Sequence, residues 1–229
     1  MADPRMPPEL LRRVRDDIAP VRPLASPGRR LLAMLPLAIA LLLLPPVYWG
    51  WRSNFSGMDA MLSWGLSSLE SGAGLLLLWL AFRESIPGSR SAAGWIRVAM
   101  AVAAALFVAI TFATNLEVPT TTPDGAWLRY ARECIGMALL FALPSVALVA
   151  LLIARALPER PMLVGAAYGF GIGLMTDAGV RLFCWVSEPS HVLVAHGGAM
   201  LLSTCGGALV AILVENGRRA GLRKRGSRG

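Results

Sequence analysis

Residues suited to bind a soft metal ion or to react with an oxidant crowd into one short stretch, Cys184 to His196, which reads CWVSEPSHVLVAH. It holds one thiol and both histidines of the chain, His191 and His196. Thiolate sulfur and imidazole nitrogen together suit zinc, cadmium and other thiophilic ions. A second thiol, Cys134, lies 50 residues upstream of Cys184. The spacing contains neither C-x-x-C nor H-x-x-x-H, so three readings stand side by side. One is a metal site at Cys134 and Cys184 with His196 and His191, where Glu133 and Glu188 could add oxygen ligands. Another is a Cys134–Cys184 disulfide in an oxidising compartment. The third makes the cysteines small hydrophobes beside solvated interfacial histidines. Cys205, flanked by Gly206 and Gly207, reads as a packing residue.

The surrounding chain must bring these residues together, and it is made for lipid. Only 16% of the residues are charged, and the apolar ones collect in blocks of about 20, the length that crosses a hydrocarbon core of about 30 Å. Six spans are expected, at 31–51, 60–82, 93–114, 134–154, 162–186 and 192–214. A β-barrel would show alternating segments of about ten residues instead. The expected fold is all-α: a six-helix polytopic domain over 31–214, a cytoplasmic N-terminal arm over 1–30, and a basic cytoplasmic tail over 215–229. The first block follows thirty polar residues and lacks a cleavage pattern before Trp51 and Arg52, so it reads as a retained span.

Basic residues set the orientation, because Lys and Arg in short loops stay cytoplasmic. Arginines crowd both ends of the chain, and Arg83, Arg90, Arg155 and Arg160 follow spans two and four. Both termini are therefore expected on the cytoplasmic side of a bacterial inner membrane. The net charge of +8 is mostly this topology signal, reinforced by anionic lipid head groups. The basic tail lacks interleaved aromatics, which argues against direct nucleic-acid binding. With this topology Cys134 opens span four, Cys184 ends span five and His196 opens span six, all at the outer face. His191 is expected in the connecting loop and to matter less than His196.

Small residues four apart, Gly165, Gly169 and Gly173 in span five and Ala195, Ala199, Ser203 and Gly207 in span six, predict close packing of these two helices. Three intramembrane charges stand out: Asp177 and Arg181, one turn apart in span five, and Glu70 in span two. Asp177 and Arg181 suit an ion pair, whereas Glu70 needs protonation or a partner in the bundle interior.

In the arm, Leu10, Leu11, Val14 and Ile18 share one side of a short helix that starts near Pro7 and Pro8. Pro20 and Pro23 end it and hold Val21, Arg22 and Leu24 extended. The arm is too short for its own core and reads as a membrane-surface anchor or a segment that orders on a partner.

The run from Asp16 to Arg29, DDIAPVRPLASPGR, followed by six spans, resembles the NrsF-type membrane anti-sigma factors. Cys134 with Pro144, Pro161 with Gly165, Cys184 and His196 are similar to that family's pattern in spans four to six. The resemblance implies that the arm, including Asp17, captures an extracytoplasmic-function sigma factor, and that Cys134 and Cys184 belong to a sensor of heavy metal or oxidative stress. Arg181, Asp177 and Cys205 have no counterpart in that pattern.

A small six-helix transporter or ion-handling protein is the alternative. It should show matching interrupted helices in its two halves, yet Glu70 and Asp177 do not correspond in position. No H-E-x-x-H, G-x-S-x-G or paired midplane aspartates appear, so no enzyme activity is expected.

Overall fold

The computed structural model describes residues 7–10, 12, 24–86, 93–123, 125–153, 156 and 158–226. Among them six helices are long and apolar enough to cross a membrane: α1 (Pro27–Trp49), α2 (Met61–Glu84), α3 (Ala93–Glu117), α4 (Trp127–Ile153), α5 (Pro161–Phe183) and α6 (Pro189–Ala220). No strand occurs among the described residues.

Local chemistry explains the helix ends. Ser26 caps α1 by accepting the Arg29 amide, and Pro27 fits the first turn, where its missing N–H leaves no bond unmade. Gly50, at φ 94°, ends α1 in a conformation that side chains with a Cβ avoid. The fourth helix starts at Trp127 rather than 134, because WLRYARE is helical despite its charges. Cys134 therefore lies two turns inside α4 and not at its mouth.

Helix α5 is the axis of the bundle. Of its most apolar 18 residues 83% are buried, against 50% or less in each other helix, and it packs against all five. Its glycines permit this. A Cβ at Gly165 would lie 2.5 Å from the Gly207 carbonyl oxygen, and one at Gly169 would collide with the Ser203 carbonyl. Polar atoms lock the same seam: Ser203 Oγ donates to the Gly169 carbonyl at 2.7 Å and Tyr168 Oη to the Gly207 carbonyl at 2.9 Å. The two small-residue stripes thus meet as the sequence predicts. Cys205 does not: it is exposed on the outer side of α6 and is no packing residue. Leu32, Ile39, Val102, Leu151 and Leu201 also point outward, as lipid-facing side chains do.

The two ends of the bundle differ. At the arm end, Arg30 is buried, donates to the Phe82 carbonyl of α2 at 3.3 Å and stacks over the Phe82 ring. Helix α1 then runs 23 residues, about 35 Å at 1.5 Å per residue, to the opposite end. There the Arg52 amide donates to the Leu182 carbonyl at 3.0 Å. Of the arm residues expected to meet the partner, Leu10 and Leu24 are described and both are exposed; Leu11, Val14, Asp17, Ile18, Pro20, Val21, Arg22 and Pro23 lie outside the described residues.

Candidate metal centre

At the end opposite the arm, three segments deliver four ligand-bearing side chains to one point. Cys134 comes from α4, Cys184 from the residue after α5, and His191 and His196 from the first turns of α6. One ligand atom from each lies within 4.8 Å of every other, and all four residues are buried. The thiols are free, with Sγ–Sγ 3.6 Å, and Cys184 Sγ is 3.7 Å from His191 Nε2. A tetrahedral zinc with Zn–S of about 2.3 Å has a sulfur–sulfur edge of about 3.8 Å. The donor set and its spacing therefore fit a soft divalent ion.

The backbone of α6 explains why two histidines five apart share a face. Val192–His196 forms a π turn. In an ordinary α-helix residues five apart point about 140° away from each other; an i→i+5 turn stacks them, and such turns recur at functional sites. The rings lie 5.6 Å apart, edge to face. His191 is not a loop residue but ends the helical turn Pro189–His191 and is fully buried. Glu133 and Glu188 are not brought in. Glu133 pairs with Arg129 at the surface, and Glu188 accepts from Thr122 and Ser190. Those bonds, that from Ser190 foremost, hold the Glu188 carboxyl below the usual range.

The loops over the cluster are tied together. Thr120 Oγ1 donates to the Trp185 carbonyl at 2.8 Å, and the Ser187 amide donates to Thr120 Oγ1 at 2.7 Å. Arg52, buried with its Nε on Asn54 Oδ1 at 2.6 Å, borders a small cleft shared with Ser67, Thr111, Arg181, Cys184 and His196. Burial lowers the Arg52 pKa; Cys184 opposes that shift and Arg181 adds to it. The sequence reading did not single out Arg52, because one arginine in a short loop looks like a topology marker.

Behind the cluster lies the charged group. Asp177 Oδ1 meets His196 Nδ1 at 2.6 Å, and Asp177 Oδ2 accepts from Arg181 Nε at 2.7 Å. Arg181 Nη2 donates to Thr111 Oγ1 at 2.9 Å, and its guanidinium stands over the Phe107 ring of α3. The i,i+4 pair read from sequence is thus formed, and Glu70 does face the interior. Its Oε2 is 3.3 Å from Arg181 Nε, yet neither oxygen accepts a hydrogen bond among the described residues. The Nε–H is directed at Asp177, so Glu70 lies beside Arg181 without a directed bond.

The family model described as negative regulator of sigma F, NrsF, matches residues 15–214, and the chain belongs to this family. No curated protein and no solved structure gives a match.

Proposed function

We propose that this NrsF-family chain is an anti-sigma factor of the bacterial inner membrane. It sequesters an extracytoplasmic-function sigma factor through residues 1–30 and releases it when heavy metal or an oxidant engages the thiol pair. The family description supports negative regulation of a sigma factor. The sensory half is carried by one observation, the convergence of Cys134, Cys184, His191 and His196 within 4.8 Å. Leu10, Leu11, Val14, Asp17, Ile18, Pro20, Val21, Arg22, Pro23 and Leu24 form the capture segment in the cytoplasm, on the same side as the basic C-terminal tail, and the cluster faces outward.

Both inputs act on the same atoms. Cys134 and Cys184 give up their thiol protons to hold a thiophilic ion, with His191 and His196 as nitrogen ligands. Alternatively the two thiols lose two electrons and two protons to a thiol oxidant and join as a disulfide. Either event shifts the protein between repressing and releasing states only if one state engages it more strongly, and moving 1:99 to 99:1 needs about 10⁴-fold preference. A chain of contacts supports a route to the arm: His196 to Asp177, Asp177 to Arg181, Arg181 to Glu70 on α2, and Phe82 of α2 to Arg30 at the arm's root.

A reporter of sigma-dependent transcription tests this reading. Cys134→Ser and Cys184→Ser should each repress normally and lose induction by cadmium and by thiol oxidants. A wild-type response in both would reduce the cysteines to packing, and lost basal repression would make them structural.

A further inference from the structure

We propose that Asp177 is a positioning residue for this centre: it fixes the ring of His196 so that Nε2 is the atom offered to a soft divalent ion. The inference rests on the metal-binding reading above. A carboxylate only accepts hydrogen bonds, so the 2.6 Å contact puts the proton on Nδ1. Nε2 is then the nitrogen left for an ion, which displaces any proton that this atom carries. This atom is buried and has no hydrogen-bond partner among the described residues. A histidine held only to satisfy a core carboxylate has no reason to leave its second nitrogen unpaired beside two thiols, since an unmet buried polar atom costs about 1–3 kcal/mol. The arrangement is that of a ligand histidine whose outer nitrogen is oriented by a carboxylate.

Asp177 is itself held from the far side. Arg181 Nε takes Oδ2 at 2.7 Å, while its Nη2 is anchored to Thr111 of α3. The carboxylate cannot rotate away from His196 without breaking the Arg181 bond. His191 has no such brace, because its Nδ1 is buried without a partner among the described residues and its Nε2 meets only Cys184 Sγ. The two imidazoles are therefore unequal: a carboxylate sets the ring of His196, and none sets that of His191.

Full-length protein in nanodiscs, reduced and metal-free, provides the test. Because the chain has two histidines, ¹⁵N-histidine labelling gives two imidazole signals, assigned with His191→Gln. We expect the His196 signals of cadmium-loaded wild type to show Nδ1 protonated and ¹¹³Cd coupled to Nε2. In Asp177→Asn, cadmium affinity measured by chelator competition should fall about 10- to 100-fold, with the sulfur–cadmium absorption band retained. Asp177→Glu should recover part of the loss. Coupling of ¹¹³Cd to His196 Nδ1, or unchanged affinity in Asp177→Asn, overturns the assignment of Asp177 while leaving the metal site standing. Absence of a sulfur–cadmium band in wild type overturns the metal reading and this inference with it. If Asp177→Asn does not fold, the ¹¹³Cd coupling in wild type decides alone.

Discussion

Cys134 and Cys184, from different helices and 50 residues apart in the chain, hold their sulfurs 3.6 Å apart, a separation suited to bridging by one ion. Four-ligand zinc sites are worth about 10–16 kcal/mol, or about 3 kcal/mol per ligand, so losing one thiolate should weaken binding roughly 100-fold. Purified Cys134→Ser and Cys184→Ser should both show this in a chelator competition, with thermal unfolding little changed. Equal affinity in wild type and both variants would remove the thiols from the site.

The π turn leads to a less obvious expectation. Deleting Val194 should relax Val192–His196 into an ordinary α-turn, leaving the histidines four apart and still on one face. Cadmium affinity should stay within about tenfold of wild type, and the α5–α6 seam should keep its register. Were the segment a regular α-helix, the deletion would rotate His191 by about 100° relative to α6 and abolish its contribution. A loss equal to that of His191→Ala would count against the π turn.

The packing of α5 on α6 is tested at Gly169. Valine there must push the Ser203 backbone away, and overpacking of this kind costs about 1–3 kcal/mol or more. Gly169→Val should lower the thermal midpoint in detergent, whereas Cys205→Leu on the exposed side should leave it unchanged. Equal stability of the two variants would contradict this close approach.

These examples mark what the sequence could convey. The six spans were legible because hydrophobic length alone sets them, and the α5–α6 pairing because small residues four apart have one use in lipid. Residue type alone brought the four candidate ligands under notice. Their histidine spacing was not legible, since the usual 3.6-residue period points residues five apart in different directions. The Asp177–His196 contact joins different helices 19 residues apart, beyond any local pattern. Cys205 was misread because hydropathy identifies a membrane helix without saying which side faces lipid.

For the arm, burying two apolar side chains against a partner is worth about 1.5–3 kcal/mol each, so losing both should weaken capture by roughly two orders of magnitude or more. Leu11→Asp combined with Val14→Asp should turn on sigma-dependent transcription without stress. Full repression by the double variant would move the docking site elsewhere.

The most direct measurement follows both ends at once: the affinity of the full-length protein in nanodiscs for its sigma factor, with and without cadmium. We expect cadmium to weaken sigma binding at least tenfold in wild type and to have no effect in Cys184→Ser. Sigma binding that stays unchanged while cadmium demonstrably occupies the wild-type site would contradict the coupling of the Cys/His cluster to the arm.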